Sequence, residues 1–192
     1  MEHNSALSKI RFPDPFKIFE VTLQITNRCT LECIHCGSSS GPNASQGPSR
    51  IWCERFAEKV ASRGFHDMEI IGGEPMLRPK VLLPLIRTAT TAGLAARFTS
   101  NGFWGENRSI CDRSIKQLSD AGLKILSLSI DKLHTAKISH QSFLNIAHSF
   151  REAGFPFSLR IYGFEGEWEE VALVKEIEAI CAGHCTAYTS RI

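Results

Sequence analysis

Three cysteines fall within eight residues of one another in TNRCTLECIHCGSSSG: Cys29, Cys33 and Cys36, spaced C-x3-C-x2-C. Thiolates are soft ligands, and three on one short loop can converge on a single metal centre. Two centres compete for them. A structural zinc takes four ligands in a closed shell, and His35 offers itself as the fourth. His35 adjoins Cys36, however, and neighbouring residues rarely ligate the same small ion. An iron-sulfur cube has four corners, so three thiolates leave one iron open to an external ligand. A second motif, Gly72-Gly73-Glu74-Pro75, pairs two glycines that let backbone approach a ligand closely with a glutamate that brings charge or fixes the turn.

The elements that must position these residues emerge from a repeat. Gly64, Gly93, Gly122, Gly154 and Gly183 lie 29, 29, 32 and 29 residues apart, each at the end of an amphipathic stretch, as expected of glycine just past a helix. Strand-like runs follow at 67–71, 95–101, 123–130, 157–163 and 185–192, and a sixth precedes them at 19–25. Helical spacing fills the gaps through Trp52, Phe56 and Val60, then Leu82, Leu85, Ile86 and Ala89, then Ile110, Ile115 and Leu118, then Phe143, Ile146, Ala147 and Phe150, then Val174, Ile177 and Ile180. Six strands alternating with five helices at a period of about 30 residues predict right-handed βα units and a parallel sheet. Eight such units would close a barrel. Six leave it open, so the expected fold class is α/β, a parallel (βα)6 partial, TIM-like barrel.

The strands alternate rather than being apolar throughout. Phe19, Val21, Leu23 and Ile25 interleave with Glu20, Thr22 and Gln24, while Arg97, Thr99 and Asn101 share one face of the third strand. Helices on the apolar side would leave a polar, concave interior able to hold a ligand. A flat sheet with one wet face satisfies the same pattern. Arg97, Tyr162 and His134 are the polar residues placed to act on a substrate, the last just beyond the fourth strand; lumen-facing polar groups also satisfy one another.

The cysteine loop and the Gly72–Pro75 turn, each at the loop end of a strand, together resemble the radical S-adenosylmethionine (SAM) enzymes over residues 18–192, leaving 1–17 as an N-terminal extension. The resemblance implies a [4Fe-4S] cluster on Cys29, Cys33 and Cys36, with SAM chelating the fourth iron. It implies His35 against the adenine, Gly72, Gly73 and Glu74 at the methionine ammonium, and Asn101 within the matching third-strand segment Thr99-Ser100-Asn101-Gly102. Ser129 and Asp131 become candidates for the ribose and carboxylate, with Arg160 pairing that carboxylate as a bidentate fork. An adenine contact at the end of the fifth strand would fall on Glu165 or Glu167. The implied reaction is reductive cleavage of SAM to a 5′-deoxyadenosyl radical, which takes hydrogen from a peptide or small-molecule substrate. A flavodoxin or ferredoxin-type donor would supply the electron. A glycyl-radical activator and a non-catalytic zinc or cluster-binding module are the competing readings, although Ser129-Ile130-Asp131 resembles peptide-maturing members more than activators.

Other features carry less chemistry. Cys53 and Cys111 read as buried thiols beside helical apolar stripes. Cys181, His184 and Cys185 have ligand-like spacing at the end of the sheet opposite the cysteine loop. His140 opens a helix, and the Ser, Gly and Pro-rich run 37–50 reads as a mobile loop. With 192 residues and 22 basic against 20 acidic side chains, the chain suits one domain, and its near balance of charge argues against nucleic acid as the main partner. An odd cysteine count, seven, without an apolar leader points to a reducing, cytoplasmic setting and no membrane span. The sequence ends at Ile192 without a cysteine-rich tail for auxiliary clusters, so it reads as the core domain alone.

Overall fold

Each glycine of the repeat ends a helix. Gly64, Gly93, Gly122, Gly154 and Gly183 all take positive φ, between 75° and 91°, the left-handed conformation that turns the chain toward the next strand. The computed structural model describes residues 20–154, 156–164 and 168–190. The proposed extension 1–17 and the candidates Glu165 and Glu167 lie outside the described residues. The elements run β1 (Glu20–Gln24), α1 (Arg50–Ala61), β2 (Asp67–Ile71), α2 (Pro79–Thr91), β3 (Ala95–Ser100), α3 (Arg108–Asp120), β4 (Ile125–Ser129), α4 (Lys132–Thr135), α5 (His140–Glu152), β5 (Ser158–Phe164), α6 (Trp168–Cys181) and β6 (Cys185–Ser190).

The strands form one sheet in the order β1-β2-β3-β4-β5-β6, and every neighbouring pair is parallel. Right-handed crossovers taken in unbroken order place the connecting helices on one face. The sheet stays open, as the strand count predicts. Its helix-facing side carries Leu23, Met68, Ile70, Ala96, Phe98, Leu126, Leu128, Leu159 and Ile161, all buried, and these form the core with the helices. The other side carries Thr22, Glu69, Arg97 and Ile125 in one register row, and Thr99, Ser127 and Arg160 in the next. Among the described residues, no helix is long and apolar enough to cross a membrane.

Two expectations need correction. Among the described residues the α-helices number six, not five, because a four-residue helix, α4, follows β4 directly. It is too short to carry a period and is specified by its cap, since Asp131 accepts from the backbone N–H of Leu133 and His134. The apolar stripes of two helices are also displaced. In α1 the buried face is Cys53, Ala57 and Val60, while Trp52 stays half exposed and stacks on Phe56. In α3 it is Cys111, Ser114, Ile115 and Leu118, with Ile110 on the outside. Counting only large side chains puts Trp52, Phe56 and Ile110 one residue away from the buried Cys53, Ala57 and Cys111, whereas Val60, Ile115 and Leu118 are buried as expected; small buried groups complete the true face.

Candidate active site

The cysteine loop is threaded between β1 and the glycine turn by backbone hydrogen bonds. Gly73 N–H donates to Thr26 O at 2.7 Å and Glu74 N–H to Arg28 O at 2.8 Å. These contacts leave no room for side chains. A Cβ on Gly73 would stand 2.2 Å from Arg28 O, and one on Gly72 2.8 Å from Thr26 O. The two glycines thus admit the cysteine loop's own backbone. The run 37–50, read from composition as mobile, is tied down: Cys29 N–H donates to Gly41 O, Gly41 N–H to Asn27 O and Asn27 N–H to Ser45 O, each at 3.1 Å. Arg78 adds a clamp, with Nη1 reaching Ile25 O at 2.5 Å, Gln46 O at 2.6 Å and Pro48 O at 2.9 Å. No sequence signal marked Arg78.

At the loop end of the strands this arrangement encloses a cavity of about 300 Å³. Cys29, Cys33 and Cys36 all line it, together with His35, Gly72, Gly73, Asn101, Ser129 and His134. Burial raises the Cys29 thiol above its usual range, and burial followed by the charges of Cys29, Asp131 and Cys36 pushes Cys33 up to about 11. Thiols that feel one another this way suit a cation that would deprotonate them on binding. Two sulfurs also receive donors, Cys29 Sγ from Asn101 Nδ2 at 3.5 Å and Cys36 Sγ from the Ser40 N–H at 3.4 Å. No fourth thiol lines the cavity among the described residues. The donor set fits a [4Fe-4S] cluster with one open corner better than a closed zinc shell.

Glu74 fixes the turn. Its side chain is fully buried behind the cavity wall. It accepts from Met76 N–H at 2.9 Å, Asn101 N–H at 2.8 Å and the Ser100 hydroxyl at 3.1 Å. Burial pushes its carboxyl up to about 7 against these donors. Ser100 Oγ in turn accepts the Trp104 indole N–H at 2.9 Å. The glycine turn, the end of β3 and Trp104 are therefore one buried network, of which sequence reading identified only Glu74 and the Thr99–Gly102 segment.

Asp131 is likewise buried just behind the wall. Its Oδ1 caps α4, and its Oδ2 meets His134 Nδ1 at 2.6 Å and His35 Nε2 at 3.5 Å. His134 holds Asp131 below the usual carboxylate range, against the upward pull of burial. Both imidazoles share one carboxylate, and His134 stands on the cavity wall with that partner behind it.

The other candidates lie elsewhere. Arg97 is occupied by Glu20 and by Glu69 at 3.5 Å, and its Nε–H is buried with no hydrogen-bond partner among the described residues. Burial and the contact with Glu20 raise the Glu69 carboxyl, whereas Arg97 holds Glu20 down against its own burial. The charge of Arg160 also reaches Glu20. Neither Arg97 nor Arg160 lines the cysteine cavity. Tyr162 pairs in register with Ser129, and its side chain lies outside the described part of the structure. Cys181 and Cys185 hydrogen-bond to each other where α6 gives way to β6.

A family model, the Radical SAM superfamily, matches residues 23–176. The AdoMet-dependent heme synthase of Methanosarcina barkeri is 28% identical over 175 residues, covering 83% of this chain and 48% of that protein. The sporulation killing factor maturation protein SkfB of Bacillus subtilis is 28% identical over 172 residues, covering 85% of this chain and 40% of that protein. A GTP 3′,8-cyclase of Chlorobaculum tepidum is 29% identical over 121 residues, 62% of this chain and 34% of that one. The chain thus spans less than half the length of each of these relatives. Among solved structures, methylornithine synthase (PylB) superposes with a TM-score of 0.58 at 13% identity, covering 92% of this chain and 55% of that chain. That likeness speaks to the fold alone.

Proposed function

Since the chain belongs to the radical SAM superfamily, we propose that it cleaves S-adenosylmethionine reductively at a [4Fe-4S] cluster and directs the 5′-deoxyadenosyl radical to a peptide or small-molecule substrate. The observation that carries this reading is the convergence of three thiols, and no fourth among the described residues, on one cavity wall. Bound there, cluster and SAM supply the radical chemistry; the chain holds them, orients them and keeps water away. Cys29, Cys33 and Cys36 hold the cluster. His35, Gly72, Gly73, Asn101 and Ser129, which share that wall, hold SAM. Asp131 acts through His35 and His134, fixing both rings from behind, and Glu74 acts by holding the turn and the end of β3 together. His134 is the wall residue placed to move a proton, with Nδ1 engaged by Asp131. Arg97 and Arg160 belong to the polar lumen face below it, the side from which a substrate would be read, and Tyr162, opposite Ser129 in register, is a further candidate to act on that substrate.

A peptide substrate is favoured because a putative peptide biosynthesis protein of Bacillus subtilis, YydG, aligns with 69% of the chain and the maturation protein SkfB with 85%. The electron comes from a flavodoxin or ferredoxin-type protein in the cytoplasm, and residues 18–192 form the catalytic core. Anaerobic reconstitution with iron and sulfide, then dithionite and SAM, tests the reading. A brown protein that releases 5′-deoxyadenosine is expected, and Cys29→Ala, Cys33→Ala or Cys36→Ala should abolish it. A cluster-loaded chain that binds SAM and leaves it intact under reduction would sink the proposal.

A further inference from the structure

A cavity of about 910 Å³ lies outside the sheet as a trough between α2 and α3. Leu83, Pro84, Phe103, Trp104 and Ile110 give it an apolar floor, and Ile110 is 46% exposed. Its rim is basic. Lys80, Arg87 and Arg113 line it, all three are exposed, and none makes an ion pair among the described residues. Glu106 is the single carboxylate on its wall. An apolar trough with an unneutralised cationic rim is complementary to an acidic protein surface.

The floor leads to the cysteines. Trp104 Nε1–H donates to Ser100 Oγ at 2.9 Å, Ser100 is bonded to Asn101, and Asn101 Nδ2 donates to Cys29 Sγ at 3.5 Å. Yet the trough and the cysteine cavity share no wall residue: Ser100 and Asn101, both buried, wall the cavity, and Trp104 walls the trough. A substrate lying in the trough could not reach the radical. An electron donor needs closeness, not entry, and electron-transfer encounters use small interfaces.

We propose that the trough between α2 and α3 is the docking face for an acidic redox protein that delivers one electron to the cluster through Trp104, Ser100 and Asn101. This rests on the radical SAM reading above. With a flavodoxin as donor, the anionic flavin hydroquinone loses one electron to become the neutral semiquinone, and the oxidised cluster gains that electron; no bond breaks and no proton is released.

The test uses the reconstituted chain and its Lys80→Glu/Arg87→Glu/Arg113→Glu variant, with Lys80→Gln/Arg87→Gln/Arg113→Gln as a milder companion. Binding of oxidised flavodoxin is followed by flavin fluorescence, and cluster bleaching by stopped flow with either flavodoxin hydroquinone or dithionite. The charge reversal should weaken binding and slow flavodoxin-driven bleaching by about tenfold or more, with the neutral variant in between. Dithionite should bleach all three proteins at the same rate. Raising salt from about 0.05 to about 0.5 M should slow the unaltered chain and barely affect the reversed one. Unchanged flavodoxin binding and bleaching in the reversed variant would overturn the docking face, as would equal slowing with dithionite. A failure of the radical SAM reading is seen separately, as dithionite-reduced protein that leaves SAM intact.

Discussion

Asn101 donates its side-chain amide to Cys29 Sγ at 3.5 Å and to Thr30 Oγ1 at 3.1 Å, fastening the end of β3 to the first cysteine of the loop. A donor on a ligating sulfur stabilises the more negative, reduced cluster and raises its potential. Asn101→Ala should therefore retain the three thiols and a cluster, yet move its midpoint to a more negative value. Redox titration followed by electron paramagnetic resonance measures this, and an unmoved midpoint would show that the amide only braces the loop.

Glu74 holds three donors in a site with no water-facing surface. Glu74→Ala strands the N–H groups of Met76 and Asn101 and should cost about 1–3 kcal/mol, read from denaturant midpoints. Its titration adds a second handle. Burial lifts the carboxyl from 4.5 to about 7, so the folded state binds the proton more tightly than the unfolded one. Its contribution to stability is then greatest below 4.5 and falls as pH rises toward 7. Glu74→Gln, which cannot ionise, should lack that slope.

The parts of this site legible in the sequence are those whose logic is local. Cys29, Cys33 and Cys36 share one loop, and the capping glycines recur beside the elements they end. The Arg78 clamp was invisible because its acceptors Ile25 and Gln46 lie 53 and 32 residues away and are backbone carbonyls, which no residue type announces. The resemblance places Asp131 beside Ser129 as a candidate for the ribose or carboxylate of SAM, as if β4 ran on past Ser129. The chain instead turns there into α4, and the carboxylate becomes a cap with two histidines on it. Trp104 gave no signal either, since a buried indole is recognised only with its acceptor in view.

Asp131 does two jobs that substitution can separate. Asp131→Asn keeps an oxygen for the N–H groups of Leu133 and His134, whereas Asp131→Ala loses it and should be less stable than Asp131→Asn by about 1 kcal/mol. If the carboxylate also fixes His35 and His134, Asp131→Asn should fold normally and release less 5′-deoxyadenosine. Wild-type release from a stable Asp131→Asn protein would reduce Asp131 to a cap.

The seven cysteines should separate by reactivity. Cys53, Cys111 and Cys181 are fully buried, and burial pushes Cys111 and Cys181 up to about 12, so neither access nor thiolate is available to an alkylating reagent. Cys29, Cys33, Cys36 and Cys185 are partly exposed and should be labelled in the reduced, metal-free chain. After reconstitution with iron and sulfide, only Cys185 should remain reactive. Mass spectrometry of digests reads each site, and protection of Cys185 or continued labelling of Cys33 would contradict the assignment of ligands.

Gly73 sets the distance between the cysteine loop and the turn after β2. Its absent Cβ would meet Arg28 C at 2.5 Å and Asn27 O at 2.9 Å as well as Arg28 O at 2.2 Å. All are backbone atoms, fixed by the bonds from Gly73 N–H and Glu74 N–H, so Gly73→Ala must push the loop outward. Overpacking of this kind costs about 1–3 kcal/mol. Gly64→Ala is the control, because a Cβ there meets nothing within 4 Å and only the positive φ of 84° is strained, at about 1–2 kcal/mol. Both variants should lose comparable stability, but only Gly73→Ala should also lose iron and sulfide per chain. Equal cluster content in the two would mean that the cysteines are placed by their own loop, independently of the glycine turn.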